Sequence, residues 1–237
     1  MSPGASSQPS ARLAGLLYLV VIAAGVFAEM AVRGGLVVSN DAVATARNIM
    51  ANETLYRLGF AAELVALMCN IPLAVIFYDL FKVVDRRATL LAVFASLVGT
   101  AIESADLLNH AAPLGLLSGA SYLKAIPAGM LQAQAYLALA QFELGFSICL
   151  VFFAMFCLAL GYLIARSGFM PPLIGIILAF EGVCYLVASF THILAPHYVH
   201  LILPVLMVSA LGEISLCLWL LVMGVNVAKW TARASAM

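Results

Sequence analysis

Charge is what this sequence has least of. Asp, Glu, Lys and Arg make up 9% of its 237 residues, whereas a soluble domain carries about a quarter. A chain so poor in polar surface cannot cover a water-soluble globule, and that class is excluded. The charge that exists cancels, with 11 basic residues against 11 acidic ones. No basic excess remains to attract nucleic acid. The five cysteines, Cys69, Cys149, Cys157, Cys184 and Cys217, sit inside apolar runs without a CxxC pair. That pattern argues against a disulfide framework or zinc ribbon and for buried packing. No GxSxG elbow, phosphate loop, dinucleotide fingerprint, HExxH or paired ExxH motif occurs, so hydrolase and nucleotide-driven pump chemistries lack a signature.

What the sequence does have is apolar length. AVILMFWYC residues account for 65% of the chain, and they gather at Leu13–Val32, Leu58–Phe81, Leu90–His110, Ala135–Ile164, Leu173–Leu194 and Leu201–Val225. A helix needs about 20 apolar residues to cross a hydrocarbon core, and backbone groups in lipid must pair within their own segment. The runs therefore predict an all-α, polytopic bundle of six transmembrane helices with the lipid bilayer as its principal partner. Residues 1–11 read as a disordered tail, 12–228 as the membrane domain and 229–237 as a short cytoplasmic tail. Ser39, Asn40 and Asp41 followed by Val43, Ala46 and Met50 suggest a short interfacial helix. Leu58-Gly59-Phe60, Leu144-Gly145-Phe146 and Leu211-Gly212-Glu213 hint at three duplicated helical hairpins.

The basic residues set an orientation. With the N-terminus inside, Arg12, Lys82, Arg86, Arg87, Arg166, Lys229 and Arg233 lie on the inner side, and Arg33, Arg47, Arg57 and Lys124 on the outer side. The bias places both termini in the cytoplasm.

Each run also carries a glutamate: Glu29, Glu63, Glu103, Glu143, Glu181 and Glu213, with Asp106 added on the third. Of the other acids, Asp41, Glu53 and Asp85 lie outside the runs and Asp79 at the end of the second. A charge at mid-bilayer costs at least about 2.5–3.5 kcal/mol, so acids facing lipid would be intolerable. At 100° per residue they share faces with small residues such as Gly59, Gly99, Ser147 and Gly224, which mark packed helix faces in membranes. The acids are therefore expected to point into the bundle.

Three readings of this interior stay open. The acids could be structural, bonding across helices to fix register. Glu63, Asn70, Glu103, Asp106, Glu143, Glu181 and Glu213 could instead line a cation, proton or small-solute site. A third option is a metal-dependent enzyme. Glu103, Asp106 and His110 stand at i, i+3 and i+7, and His192 of the fifth span with His197 and His200 of the connection after it could approach as ligands for a divalent metal. Oligomeric state is not defined by the sequence.

Several runs point to a family. They are Arg12-Leu-Ala-Gly-Leu-Leu-Tyr-Leu19, Asp41-Ala-Val-Ala-Thr-Ala-Arg-Asn-Ile49, Leu116-Leu-Ser-Gly-Ala-Ser-Tyr-Leu123, Leu131-Gln-Ala-Gln-Ala135, Gly161-Tyr-Leu-Ile-Ala-Arg-Ser-Gly-Phe169 and Ala210-Leu-Gly-Glu-Ile-Ser-Leu-Cys-Leu-Trp219. Together the ordered set resembles DUF4386, a family of bacterial multi-pass membrane proteins. The resemblance implies a single domain in a bacterial cytoplasmic membrane. It brings no activity, ligand or catalytic residue. Phe142 stands where members often carry histidine, and Pro172 where they often carry a basic residue.

Overall fold

The computed structural model describes residues 3–199, 201–202 and 210–236. Helix α1, Pro3–Val26, continues through a π-helical turn, Phe27–Arg33, to Gly34–Leu36. It is followed by α2 (Ala42–Ala51), α3 (Glu53–Phe81), α4 (Arg86–Leu116) and α5 (Ala128–Ser167). The last three are α6 (Pro172–Leu194), α7 (Leu211–Val222) and α8 (Val227–Ala234). No strand occurs among the described residues. The protein is an all-α, multi-pass membrane fold.

Local chemistry sets the helix boundaries. The Asp41 carboxylate caps α2 by accepting from the Ala44 N–H at 2.8 Å, and Asp85 caps α4 by accepting from Arg87 and Ala88 at 2.9 and 3.1 Å. Such caps satisfy amide donors that no helical turn can reach. Gly168, at φ 72°, stops α5 in the left-handed conformation that glycine adopts without strain. Pro172 then opens α6 at a position where a missing N–H costs nothing.

Five helices are long and apolar enough to cross a membrane: Ser10–Leu36, Glu53–Phe81, Arg86–Leu116, Ala128–Ser167 and Pro172–Leu194. The sixth expected span differs. Helix α7 is shorter, and α8 turns away from it by 96°. Of the expected span, residues 203–209 lie outside the described residues, as does His200.

Each long helix packs on the next in the chain, and α7 closes back onto α1. The result is a ring in sequence order. Its core joins Tyr18 of α1, Phe77 of α3, Ala95 of α4, Phe156 of α5, Leu178 of α6 and Leu216 of α7. The three repeated glycines occupy matching positions in this ring. A β-carbon on Gly59 would press on Val32, one on Gly145 on the Asp106 carboxyl, and one on Gly212 on the Glu181 carboxyl. In every case the glycine of a hairpin's second helix makes room for a side chain of its first, as three related hairpins would require.

Both ends of the chain are more ordered than their composition suggests. The expected tail 1–11 is helical from Pro3. Gln8 there donates to the Met223 carbonyl at 2.8 Å and accepts from the Val225 N–H at 2.9 Å, while Ala11 is fully buried. At the other end, the expected C-terminal tail is largely helix α8. The Trp230 indole donates to the Leu80 carbonyl at 2.9 Å, and Arg233 donates to the Arg166 carbonyl, also at 2.9 Å. Helix-end carbonyls left without intrahelical partners attract such donors; propensity and polarity do not reveal them.

Candidate functional site

The interior acids do not form one cluster. They divide between two sides of the helix ring, one group on α3 and α4 beside the end of α1 and the other on α1, α6 and α7, and the groups differ in chemistry.

The first group centres on Glu63 of α3. One carboxylate oxygen receives Arg33, and the other meets His110 Nδ1 of α4 at 2.6 Å. Arg33 also reaches back to Glu29 at 2.6 Å and lies over the Phe142 ring, 4.8 Å from its centroid. Sequence reasoning ended the first span at Val32 and assigned Arg33 to an outer connection. The correction has a physical cause. The π-helical turn adds about one residue to the ladder and rotates the next turn of helix by ~100°, carrying Arg33 onto the inner face. The i, i+4 spacing of Glu29 and Arg33 was the available signal.

His110 is fully buried, with rings on several sides. Tyr56 packs edge-on at 4.8 Å between centroids, Phe60 at 6.1 Å and Phe142 at 5.2 Å. Tyr56 also donates its hydroxyl to the His110 carbonyl at 2.6 Å. One turn earlier on α4, Asp106 is buried against Gly145. One of its oxygens accepts from the Asn109 amide at 2.8 Å. The other oxygen of Asp106 and Nε2 of His110 are both buried without a partner among the described residues. Glu103, half-buried, lies 3.8 Å from Cys149 Sγ and within the electrostatic reach of Glu63, Arg33 and Asp106. Asn70 is buried two turns along α3 from Glu63.

The second group joins α1, α6 and α7. Tyr18 donates to one oxygen of Glu213 at 2.9 Å. The Tyr185 hydroxyl lies 3.0 Å from Glu181 and 3.3 Å from the other oxygen of Glu213. The remaining Glu181 oxygen accepts from the Glu213 backbone N–H at 2.9 Å. Glu181 is fully buried. All four carboxyl oxygens are thus engaged and two carboxyls share one tyrosine. Among the described residues, no basic side chain bonds to either.

Two expected members of the interior are placed elsewhere. Glu143 is exposed, because its neighbour Phe142 takes the inward position against His110 and beneath Arg33. Glu29 is also largely exposed, at 65% of its side chain, and serves as the outer partner of Arg33. His192 is half-buried, with its field reaching Glu143, and His197 is exposed in a short turn. Among the described residues, no group of three or more His, Cys, Asp and Glu side chains is placed to hold a metal ion. Glu103, Asp106, His110 and His192 therefore do not come together as a ligand set. Surface hollows are lined by residues between Met50 and Leu58 and between Leu186 and Ala195, and no acid of either cluster is among those lining residues.

Comparison with known proteins agrees on class and adds no activity. A model of a family described as a domain of unknown function, DUF4386, matches residues 13–224. No curated protein and no solved structure matches the chain.

Proposed function

The chain belongs to the DUF4386 family, and we propose that it binds and exchanges protons within the membrane, with Glu181 and Glu213 as the exchange site. The observation that carries this reading is the pair itself. Two carboxyls share one tyrosine hydroxyl, and no base among the described residues bonds to them. A hydroxyl has one hydrogen to donate, so when it bonds to both carboxyls it donates to one and accepts from the other. The second bond needs a proton on the carboxyl pair. A metal cation fits less well, because every oxygen is already taken up by Tyr18, Tyr185 or the Glu213 amide. Uncompensated acids inside a bilayer are costly, and proton relays are a recurrent reason to keep them.

The first cluster has a different chemistry. Glu29 is exposed, Arg33 links it to Glu63, and Glu63 meets His110; a guanidinium keeps its proton, so this network carries its own compensating base. We place both termini in the cytoplasm of a bacterial cell. With Arg33 inside the bundle, only Arg47, Arg57 and Lys124 remain to oppose Arg12, Lys82, Arg86, Arg87, Arg166, Lys229 and Arg233.

The test is proton flux into liposomes containing a pH-sensitive dye. Wild-type protein is expected to dissipate an imposed gradient, Glu181→Gln and Glu213→Gln to abolish that activity, and Glu143→Gln to leave it intact. Flux equal to protein-free liposomes, or undiminished in both pair variants, would refute the proposal.

A further inference from the structure

We infer that the end of the bundle carrying both termini is a docking surface for anionic phospholipid headgroups. Helix α8 organises that end. It lies at 96° to α7, so it runs across the bundle where the long helices stop. Its Trp230 indole donates to the Leu80 carbonyl of α3. Arg233 donates through Nε to the Val83 carbonyl at 3.3 Å, and through one terminal nitrogen to the Arg166 and Ser167 carbonyls at 2.9 and 3.2 Å. The ends of α3 and α5 are thereby held beside α8.

These contacts gather bases. Lys82 and Arg86 stand within three residues of Val83, a stretch of at most about 11 Å. Arg87 follows, and the Arg166 backbone is itself gripped by Arg233. Lys229 shares the α8 face of Arg233 at i, i+4. Helix α1 joins through Gln8, bonded to Met223 and Val225 one turn before Arg12. Against these bases stand Asp79 and Asp85 alone among the described residues of this end. Lys82 occupies Asp79 at 2.6 Å, and the first amides of α4 occupy Asp85. Arg12, Arg86, Arg87, Arg166 and Lys229 are exposed, and none of them forms an ion pair among the described residues.

Depth and charge fix the partner. Tyr78 sets its ring centre 5.3 Å from the Lys82 ammonium, and Tyr162 sets its own 5.6 Å from the Arg166 guanidinium. Tyrosine beside lysine or arginine at a span's end marks the level of the lipid headgroups, and a short amphipathic helix with a basic outer face lies in that plane. Phosphate at this depth belongs to phospholipid, and each base near a membrane surface strengthens its attraction about fivefold. The opposite end differs. There Arg33 is taken by Glu29 and Glu63, and Arg57 by Glu53, leaving Arg47 and Lys124. The inference is independent of the Glu181–Glu213 pair.

The test is native mass spectrometry of full-length protein in detergent, given equal amounts of phosphatidylglycerol and phosphatidylcholine. Wild-type protein is expected to retain phosphatidylglycerol in preference. Arg86→Ala combined with Arg87→Ala should lower the ratio of the two retained lipids about tenfold or more, through the loss of two bases. Arg166→Ala combined with Lys229→Ala should lower it comparably. Arg47→Ala combined with Lys124→Ala, at the opposite end, should leave the ratio unchanged. Inorganic phosphate at the concentration of the lipid should not displace it. All six side chains are exposed, and helix content by circular dichroism identifies variants that fold. No preference for phosphatidylglycerol in wild type overturns the inference. So does a preference kept in both folded double variants of the α8 end, or lost equally in that of the opposite end. Displacement by inorganic phosphate would make the surface a site for free anions and overturn the lipid assignment.

Discussion

Glu63 and Glu143 show how differently two acids in one membrane bundle behave. Glu63 accepts from Arg33 and His110 in a buried setting. Removing one partner of a buried ion pair leaves the other charge uncompensated, typically at about 3–5 kcal/mol. Glu63→Gln is therefore expected to lower the Tm of detergent-solubilised protein sharply. Glu143 is exposed; Glu143→Gln should stay within about 0.5 kcal/mol of wild type. Equal effects of the two substitutions would show that the interior assignment is wrong. At this scale the sequence was informative but incomplete. Counting acids against bases found Glu63, Asp106, Glu181 and Glu213 as interior groups. It missed Arg33, because a charge at the end of an apolar run reads as the end of the span. It also placed Glu143 inward, since helical periodicity alone cannot decide between adjacent positions when Phe142 competes for the same face.

Helices α5 and α6 approach closely where two glycines face each other. A β-carbon on Gly161 would strike the Gly175 carbonyl, and one on Gly175 would strike the Gly161 carbonyl. Small residues at membrane helix interfaces permit such approach of backbones. Gly175→Ala should force α5 and α6 apart at about 1–3 kcal/mol, the usual cost of overpacking, measurable as a lower Tm with helix content unchanged. Unaltered stability would mean the two helices are less tightly seated. The N-terminal turns of α1 are tied down by a different means. Gln8 makes two bonds to the chain at the end of α7, so Gln8→Ala should cost about 0.5–1.5 kcal/mol per bond lost. Resistance of the N-terminus to limited proteolysis should fall with it. Apolar run length revealed five of the spans with modest shifts at their ends, and Asp41 announced α2. The helical tail at residues 3–11 and the docked α8 were not legible. Their order comes from carbonyls presented by distant segments, which local composition cannot report.

The whole molecule is a closed ring in which neighbours in sequence are neighbours in space. Three glycines at matching hairpin positions clear room for Val32, Asp106 and Glu181 in turn. The weak Leu-Gly signal in the sequence becomes meaningful only once those facing residues are known. The ring also explains why the acids fall into two groups. Glu63 and His110 belong to the α3–α4 wall beside the end of α1. Glu181 and Glu213 belong to the α6–α7 wall and meet Tyr18 of α1 across the closure. One group carries its own base and the other, among the described residues, carries none; that contrast is the ground for the proposed proton on the second. The most direct test is infrared spectroscopy of the purified protein with carbon-13-labelled glutamate. A protonated-carboxyl carbonyl band is expected in wild type and should lose intensity when Glu181→Gln and Glu213→Gln are combined, because together they remove both carboxyls that can hold the shared proton. A wild-type spectrum without that band, or one unchanged by both substitutions, would contradict a shared proton on the pair.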